Sequence, residues 1–513
     1  MINQSLEKYR ELLDREGILT ESELKNEAAR EITGMTYYSG KVMPGNLFLC
    51  KGAAFREEYL EEAVSRGAAA YVSQCEYPCG RNIPHLLVKD MRKAQYVLAE
   101  AYYGNPWERL HLAGVTGTKG KTTTVYYLRA ILEEYVREMG GTGCGLLSSI
   151  EYDDGKECVP STLTTPESLE LFRHMRNAVD SGMSHMVMEV SSQALKYQRI
   201  GRTLFDTAVF LNISEDHISP GEHPDFRDYF ESKLKIFDHC RCACINLDCE
   251  YANQIAEAAK KCERVITFGQ RKEAMIRCSR ITAKQGKIRF LTEGPGFVKW
   301  FEIDGHGMFN AENALAAIAA AWSMGVSLSA VKRGLQGVRV PGRMETYQSP
   351  DGAVTAIVDY AHNGLSFTRI FDAVMAEYPG RRITAIFGCP GGKAYNRRRD
   401  LGEIAGTRAD QVYLVPDDPG EEDPMDISEE ISRYVQAKGC PCKIRSDRGS
   451  AIREAVLDAE HGDVILVLGK GEEKFIKYGK TSSPYPSDGA CVQSALQEYG
   501  NAAQLSAATK EGA

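Results

Sequence analysis

Residues 114–124 read GVTGTKGKTTT and join a short apolar segment to a run with helical character, 123–134. A strand, a glycine-rich turn and a helix N-terminus in that order point successive backbone N–H groups at one place, where phosphate oxygens bind. In such a turn the side chain of Lys121 reaches terminal phosphates, and the hydroxyl of Thr122 is a ligand for Mg²⁺. The strict P-loop spacing has glycine at the position of Val115, and a tight turn without a ligand is the alternative. Because a strand precedes the turn and a helix follows it, the segment predicts an ATP site.

The composition is that of a globular protein with several domains. The 513 residues are 43% hydrophobic and 26% charged, which is ordinary for this class. The net charge of −8 argues against a nucleic-acid partner, because no broad positive field attracts a polyanion. The start lacks the apolar core of a signal peptide, and no run approaches the length of a membrane span. We therefore expect a cytoplasmic protein with no membrane partner.

The chain has fifteen cysteines, which we expect to be reduced thiols. Four of them lie close together and are a candidate metal cluster: Cys240, Cys242, Cys244 and Cys249. No second pair stands at the spacing of a zinc site. The first three alternate with other residues as in a buried strand, and we favour that interpretation over a metal site.

Alternating strands and helices predict an α/β fold with three domains. We expect an N-terminal domain at 1–104, a central domain with a P-loop-type, mostly parallel sheet at 105–340, and a C-terminal Rossmann-like α/β domain at 341–513. Continuous apolar runs such as 186–190 and 207–211 are typical of strands buried on both faces of a parallel sheet. The turn-rich segments GNPW and VRVPG mark the two boundaries.

Two polar side chains follow apolar strands of the central domain. Glu189 lies near the end of the strand at 186–190, at the carboxyl edge where ligands bind in open α/β sheets. His217 lies in the polar loop NISEDH after the strand at 207–211. A loop histidine is often merely solvated, but the nearby carboxylate and nucleotide turn make a second Mg²⁺ site the functional alternative. Lys233, on an amphipathic helix, is by itself typical of a solvated surface residue.

Further polar motifs stand at helix starts and strand ends in the second half of the chain. Asn310 and Asn313 precede an alanine-rich helix at 314–322, so they are either helix caps or amides that recognise an adenine edge. Asp359 follows a strand, where a carboxylate can meet a ribose. The segment GKGEE at 469–473 follows the last predicted strand, again at a carboxyl edge.

Together these motifs resemble those of the Mur ligase family, ATP-dependent amide-forming enzymes of peptidoglycan synthesis. In the family's order and rough spacing the chain carries GTKGKTTT, LTTPES, MEVSSQAL, NISEDH, ESK, FNAENALAA, VPGRME, DYAHN and GKGEE. Each motif is weak alone, but jointly they are highly specific and span residues 36 to about 475. The family's nucleotide motif has the form G-T-x-G-K-T, which accounts for Val115.

The resemblance is nearest to the branch that adds the third residue of the stem peptide to UDP-N-acetylmuramoyl-L-alanyl-D-glutamate. The segments TYYSGKVMPGNLFLCKGAAF at 36–55 and DDPGEEDP at 417–424 are similar to those of the L-lysine-adding enzymes of streptococci. The resemblance implies a ligase that uses ATP and Mg²⁺, joins that UDP-linked peptide to a diamino acid, and passes through an acyl phosphate. We also expect a monomer.

The resemblance implies a role for each matching residue. The catalytic residues are Lys121, Glu189, His217 and Lys233. The ATP-binding residues are Gly117, Thr118, Lys119, Gly120, Lys121, Thr122 and Thr123, joined from across the domain boundary by Asn310, Asn313, Arg343 and Asp359. The metal ligands are Thr122, Glu189, His217 and Lys233, the last as the carbamate N6-carboxylysine. The residues that hold the UDP-muramoyl peptide are Ser39, Thr164, Thr165, Ser191 and Arg199.

The acceptor site is implied to consist of Lys393, Asp417, Asp418, Pro419, Gly420, Gly469 and Glu473. Diaminopimelate-adding enzymes of the family meet the distal carboxylate of the acceptor with arginines, one of them in a D-N-P-R motif. Here Gly420 stands in place of that arginine, and Lys393 aligns with the other. A bidentate clamp is therefore missing, and the negative charge of the two aspartates and Glu473 suits a distal ammonium.

This departure predicts L-lysine as the acceptor. The alternatives are meso-diaminopimelate, since Lys393 leaves one positive group, and L-ornithine. A folylpolyglutamate synthetase-like ligase is a further alternative, against which the extra N-terminal domain counts. The alternative that is not an enzyme is a nucleotide-binding regulator that has lost catalysis. Against it, all four catalytic residues implied by the resemblance are present.

Overall fold

Apolar runs alternate with amphipathic helices, and the resulting fold is of the α/β class that the sequence predicts. A computed structural model describes residues 3–52, 55–216, 218–219, 222–284, 286–479 and 481–511, with side chains through Asn501. One unit is built mainly from the chain up to Met275 together with Ala316–Gly334, and the other mainly from Ile276–Leu315 and the chain from Leu335 onward. None of the described helices combines the length and the apolarity needed to span a membrane.

The N-terminal part of the first unit is a small, mostly parallel sheet with three helices. In chain order its elements are β1 (Gln4–Ser5), α1 (Leu6–Arg15), β2 (Leu19–Glu23), β3 (Glu31–Ile32), β4 (Gly34–Thr36), β5 (Asn46–Leu49), α2 (Glu57–Ser65), β6 (Ala70–Ser73), β7 (His85–Val88) and α3 (Met91–Tyr103). The strand order is β2-β7-β6-β5-β4, in which β2 is antiparallel to β7 and the other pairs are parallel. Strands β5, β6 and β7 are buried along their length, which is why they read as apolar runs.

The rest of the first unit contains the phosphate loop. Its elements are β8 (His111–Thr116), α4 (Lys121–Glu138), β9 (Cys144–Leu147), β10 (Glu151–Asp153), β11 (Cys158–Pro160), α5 (Ser168–Asp180), β12 (His185–Glu189), α6 (Ser192–Lys196), β13 (Phe205–Phe210), α7 (Phe226–Leu234), β14 (Cys240–Asn246), α8 (Ala252–Ala259) and β15 (Arg264–Gly269). The strand order is β11-β10-β9-β12-β8-β13-β14-β15, parallel from β9 to β15. Strand β8 lies between β12 and β13, so the loops after these three strands meet at one edge.

The second unit begins with three antiparallel strands, β16 (Ile276–Lys284), β17 (Lys287–Gly294) and β18 (Phe297–Asp304). Helices α9 (Phe309–Ser323) and α10 (Leu328–Leu335) follow, and the chain passes from the second unit to the first within α9. Because α9 already begins at Phe309, Asn310 and Asn313 lie in its first turns, and the helix-cap interpretation of these residues is wrong.

The C-terminal part of the second unit is another mostly parallel sheet between helices. Its elements are β19 (Glu345–Gln348), β20 (Thr355–Asp359), α11 (Gly364–Glu377), β21 (Ile383–Phe387), α12 (Asn396–Arg408), β22 (Gln411–Leu414), α13 (Pro424–Ala437), β23 (Cys442–Ile444), α14 (Arg448–Leu457), β24 (Val464–Leu468), β25 (Phe475–Tyr478), β26 (Thr481–Pro484) and α15 (Asp488–Glu511). The strand order is β19-β20-β24-β21-β22-β23, and only β19 pairs antiparallel. The loops after β20, β21, β22 and β24 therefore lie at one carboxyl edge, where open α/β sheets bind ligands.

The two apolar runs predicted as strands, 186–190 and 207–211, form β12 and β13, whose bounds differ from the prediction by one or two residues. Uninterrupted apolar runs in buried parallel strands leave little choice of register. The cysteine-rich segment is likewise the predicted buried strand, with Cys240, Cys242 and Cys244 in β14.

Candidate active site

The phosphate loop joins β8 to α4 in a conformation that needs glycine. Gly120 is the residue before the helix, and its φ of 87° lies in the left-handed region. At Gly117 a side chain would place its Cβ 3.0 Å from the Cβ of Leu211, because the loop passes directly over the end of β13. Gly120 thus permits the left-handed turn before the helix and Gly117 permits the close approach to β13, and the strand–turn–helix arrangement predicted from the sequence is present.

Asn212, just after β13, holds the loop in this shape. Its side-chain oxygen accepts hydrogen bonds from the backbone N–H groups of Thr118 at 3.1 Å and Lys119 at 2.9 Å. Its side-chain nitrogen donates to the carbonyl oxygen of Lys119 at 3.0 Å. The motif NISEDH thus acts on the phosphate loop through its first residue.

Lysine side chains crowd around this loop. The amine of Lys121 donates to the carbonyl oxygens of Gly117 at 2.9 Å and Thr118 at 3.2 Å. Lys119 forms an ion pair of 3.1 Å with Asp216. The concentration of positive charge at a helix N-terminus suits the phosphates of a nucleotide.

Lys233 is the least expected of these lysines, because it lies inside the protein. Its residue is only 2% exposed, so the solvated-surface interpretation is wrong. The amine donates to the carbonyl oxygen of Gly117 at 3.0 Å and lies 4.6 Å from the centre of the Tyr229 ring. Burial, followed by repulsion from Lys121, holds the pKa of the Lys233 amine well below its ordinary value. This shift favours the neutral, nucleophilic form of the amine.

Glu189 and Thr122 are linked through Ser149, a residue that the motif analysis did not single out. Glu189 is 1% exposed and accepts hydrogen bonds from the backbone N–H and the hydroxyl of Ser149, at 2.8 and 3.1 Å. The same hydroxyl lies 3.0 Å from that of Thr122. These oxygen donors are of the type that Mg²⁺ prefers. His217, the other predicted ligand, lies outside the described residues.

A second group of potential metal ligands in the first unit has internal partners instead. Asp154 accepts hydrogen bonds from His174 at 2.6 Å and from Asn177 at 2.9 Å. The other ring nitrogen of His174 faces Arg173 at 3.2 Å, and Arg173 also pairs with Glu157. Burial opposes ionisation of Asp154, but its hydrogen bonds outweigh burial and lower its pKa to about 2. We interpret this group as a buried polar network that ties α5 to the turn after β10.

The residues predicted to hold the UDP-muramoyl peptide are partly brought together. The buried hydroxyl of Thr165 donates to the carbonyl oxygen of Glu189 at 2.9 Å, and the N–H of Ser191 donates to that hydroxyl at 3.0 Å. Arg199 donates to the carbonyl oxygen of Thr165 at 3.4 Å. Thr164 neighbours this group in the chain, and Ser39 lies in a separate turn of 3₁₀ helix, Ser39–Lys41.

The predicted adenine and ribose residues lie in the second unit. The amide of Asn313 donates to Asn310 at 3.0 Å, and that of Asn310 donates to the carbonyl oxygen of His306 at 2.8 Å. The carboxylate of Asp359 accepts the N–H groups of Met344 and Ala361, both at 2.7 Å. These contacts orient the side chains, while their roles toward a nucleotide remain predictions.

Carboxylates and one buried lysine meet in the loops after β22 and β24. Lys470 has an exposure of 0%, and its amine lies 2.9 Å from Asp418 and 2.5 Å from Glu473. Asp417 lies in the loop after β22. Lys470 and Arg448 stabilise its charged form, but burial dominates and raises the pKa of Asp417 to about 6. A Cβ at Gly469 would lie 2.7 Å from Asp417, so the two loops touch through glycine.

The remaining predicted acceptor residues shape the backbone around this group. Gly420 has a φ of 60° and donates its N–H to the carbonyl oxygen of Lys477 at 3.2 Å. The carbonyl of Pro419 packs so closely on Gly391 that a Cβ there would lie 1.8 Å from it. Lys393, on the loop after β21, is exposed. The structure therefore groups the acidic residues and Gly420, and leaves Lys393 in solvent.

The sequence contained signals for some of the residues that the motif analysis missed. Ser149 belongs to a serine pair directly after the apolar strand β9. This is the same carboxyl edge of the sheet at which Glu189 ends β12. Lys470 stood inside the quoted motif GKGEE, yet only its burial distinguishes it from a solvated lysine. Tyr360, in the motif DYAHN, donates its hydroxyl to Glu473 at 3.1 Å, a contact between distant segments of the chain.

Comparisons with known proteins agree with the motifs. The family models of the "Mur ligase middle domain" and the "Mur ligase, glutamate ligase domain" match residues 115–321 and 342–471. The UDP-N-acetylmuramoyl-L-alanyl-D-glutamate--L-lysine ligase of Enterococcus faecalis is 38% identical over 477 residues, covering 91% of this chain and 92% of that one. The protein with the same name in Streptococcus pneumoniae is 38% identical over 466 residues, covering 90% and 92%.

The fold also matches a solved structure. It resembles the MurF ligase of Thermotoga maritima in complex with ADP, with a TM-score of 0.60 at 18% identity over 92% of this chain and 98% of that one. The resemblance inferred from the nine motifs is thereby confirmed, as is the predicted fold class. The chain belongs to the Mur ligase family, whose members are ATP-dependent ligases that form amide bonds.

Proposed function

We propose that this ligase adds L-lysine to UDP-N-acetylmuramoyl-L-alanyl-D-glutamate in peptidoglycan synthesis, with ATP hydrolysed to ADP and phosphate. The observation that carries the choice of acceptor is the acidic group after β22 and β24, where Asp417, Asp418 and Glu473 outnumber the single amine of Lys470. A net negative group attracts a distal ammonium and repels a distal carboxylate. The names of the relatives from Enterococcus and Streptococcus support the same acceptor.

The chemistry proceeds through activation of a carboxylate. The D-glutamyl carboxylate attacks the γ-phosphorus of ATP, and ADP leaves as the acyl phosphate forms. The amine of the acceptor then attacks the acyl carbon, the tetrahedral intermediate collapses, and phosphate leaves with one amine proton lost to a base. Lys121, Lys119 and the N-terminus of α4 offset the repulsion between the carboxylate and the triphosphate in the first step.

Mg²⁺ fits the oxygen donors around the phosphate loop. Thr122 and Glu189 would hold it, with His217 as the further predicted ligand. When bound, the ion would neutralise charge on the phosphates. We propose that Lys233 supplies one more oxygen ligand: its neutral amine attacks CO₂, loses a proton and becomes a carbamate. The depressed pKa and full burial of this amine favour that reaction.

The nucleotide and peptide contacts stay as predicted from the resemblance. We propose that Asn310 and Asn313 face adenine and that Arg343 and Asp359 meet the rest of the nucleotide. We propose that the UDP-muramoyl peptide is bound by five residues of the first unit: Ser39, Thr164, Thr165, Ser191 and Arg199. We further propose a cytoplasmic monomer with domains at 1–104, 105–340 and 341–513, which sedimentation and limited proteolysis would test.

The deciding experiment measures phosphate release from ATP in the presence of UDP-N-acetylmuramoyl-L-alanyl-D-glutamate. L-Lysine, meso-diaminopimelate, L-ornithine and no amine are compared. We expect release that depends on L-lysine. Faster turnover with meso-diaminopimelate than with L-lysine would refute L-lysine as the acceptor and point to Lys393 as the group that binds the distal carboxylate. If none of the amines gives phosphate release, the assignment of the UDP-linked peptide as substrate is contradicted.

A further inference from the structure

Glu473 is held from both sides by residues that have no assigned role. We propose that Lys470 and Tyr360 are positioning residues that fix the carboxylate of Glu473 at one distance from the acceptor and so let the enzyme distinguish side chains of different length. The inference rests on the proposed addition of a diamino acid and concerns how that acceptor is selected.

Lys470 joins two acidic loops. Its fully buried amine lies 2.5 Å from Oε2 of Glu473 and 2.9 Å from Oδ1 of Asp418. Asp418 also accepts the backbone N–H of Lys477 at 3.0 Å. Burial lowers the pKa of the Lys470 amine, but the surrounding carboxylates overcome this and keep it above its ordinary value. A buried charge with two such partners has little freedom to move.

Tyr360 holds the other oxygen of Glu473. Its hydroxyl donates to Oε1 at 3.1 Å, so each carboxylate oxygen has its own donor. The Tyr360 ring in turn lies 4.5 Å from the guanidinium of Arg343. Gly342, beside Arg343, approaches the GKGEE loop so closely that a Cβ there would lie 2.8 Å from the backbone nitrogen of Glu472. The loops after α10, β20 and β24 are thus packed together and support Glu473.

A carboxylate that is held rigidly can distinguish acceptor side chains by their length. When the buried pair of Arg448 with Asp488 is counted as neutral, the described residues leave three carboxylates, those of Asp417, Asp418 and Glu473, around the one amine of Lys470. The excess negative charge attracts the distal ammonium of a diamino acid whatever the length of its side chain. Selection of L-lysine over L-ornithine, which is one methylene shorter, needs a carboxylate that cannot follow the shorter chain. A missing methylene in a hydrophobic pocket is typically worth about 10–200-fold.

The test compares steady-state constants for L-lysine and L-ornithine in four variants. Tyr360→Phe removes only the hydroxyl, Lys470→Met removes the amine, and Lys470→Arg keeps the charge. Lys477→Met is the matched control. The amines of Lys470 and Lys477 lie 5.1 and 5.3 Å from the centre of the same Phe475 ring, but Lys477 is exposed.

We expect Tyr360→Phe to raise the KM for L-lysine about tenfold, as for loss of one hydrogen bond to a charged group, and to lower the preference for L-lysine over L-ornithine. The KM for ATP should stay unchanged. Lys470→Met should lower the preference further, and Lys470→Arg should restore part of it. Lys477→Met should behave as the wild type.

Wild-type KM values and an unchanged lysine-to-ornithine ratio in Tyr360→Phe would overturn the inference. If Lys470→Met does not fold, as judged by circular dichroism, Tyr360→Phe and Lys470→Arg decide the question. An inactive wild type with every diamino acid would overturn the proposed function itself, whereas an active wild type with unaltered variants would overturn only the roles of Lys470 and Tyr360.

Discussion

The side-chain amine of Lys233 lies 3.0 Å from the backbone carbonyl oxygen of Gly117, so a lysine from α7 reaches the first glycine of the phosphate loop. Two parts of the chain that are far apart in sequence meet there. A carbamate on this amine, which we propose above, would therefore lie next to the proposed metal and phosphate sites.

We expect Lys233→Ala to lower lysine-dependent phosphate release by orders of magnitude, because the ligand oxygens of the proposed carbamate are lost. A short carboxylic acid such as acetate should restore part of the rate by taking the vacated place. Incorporation of isotopically labelled bicarbonate into the wild type, followed by NMR, gives an independent readout. Full activity in Lys233→Ala would remove this residue from the mechanism.

Ser149→Ala should weaken the response to Mg²⁺. Its hydroxyl lies between Thr122 and Glu189, and a hydrogen bond to a charged group contributes about 1.5–3 kcal/mol, equivalent to about tenfold or more in affinity. A titration of activity against Mg²⁺ measures the change. Ser149→Thr keeps the hydroxyl and is the control; equal shifts in both variants would contradict a role for the hydroxyl.

Binding of L-lysine should strengthen as pH rises through about 6. The pKa of Asp417 is raised to about 6, mainly by burial, so the carboxyl is neutral below this value and negative above it. For folding the sign follows from the same shift: the contribution of Asp417 to stability is full below its unfolded pKa and is lost as pH rises through about 6. The KM for L-lysine should therefore fall between about pH 5 and 7, and Asp417→Asn should flatten this profile. A steep profile in Asp417→Asn would point to another group.

Gly391→Ala should disturb the acceptor loops. The added Cβ would lie 1.8 Å from the carbonyl oxygen of Pro419, so the backbone has to move, at a cost of about 1–3 kcal/mol. We expect a higher KM for L-lysine and a lower urea midpoint. Gly392→Ala is the neighbouring control: its φ is 69°, but no described atom lies within 4 Å of its Cβ, so only backbone strain of about 1–2 kcal/mol is added. An unchanged KM for L-lysine in Gly391→Ala would contradict the steric explanation.

Arg448→Met should destabilise the second unit strongly. Arg448 and Asp488 form two hydrogen bonds of 2.7 Å with both side chains fully buried. Removing one partner leaves an uncompensated buried charge, which costs about 3–5 kcal/mol of unfolding free energy. Urea unfolding measures this. Arg453→Met, which breaks an exposed pair with Glu498, should leave the midpoint nearly unchanged, and similar midpoints for both variants would contradict the prediction.

The family, the α/β class and the approximate extent of the most apolar strands follow from the amino-acid sequence. Motifs such as GTKGKTTT and GKGEE are local, and buried parallel strands are continuous apolar runs, so neither requires knowledge of distant contacts. The lack of an arginine at Gly420 is likewise visible in the sequence and already indicates the kind of acceptor.

Only the folded structure shows which polar residues are buried and which of them are in contact with one another. Helical spacing made Lys233 look solvated, because the amphipathic pattern does not say what covers a helix; α7 packs it against the phosphate loop instead. Ser149, Tyr360 and Lys470 acquire their importance only through contacts across the fold. Burial and distance arise from the packing of segments distant in sequence. They lower the pKa of Lys233 and set the positions of the carboxylates that we propose select the acceptor.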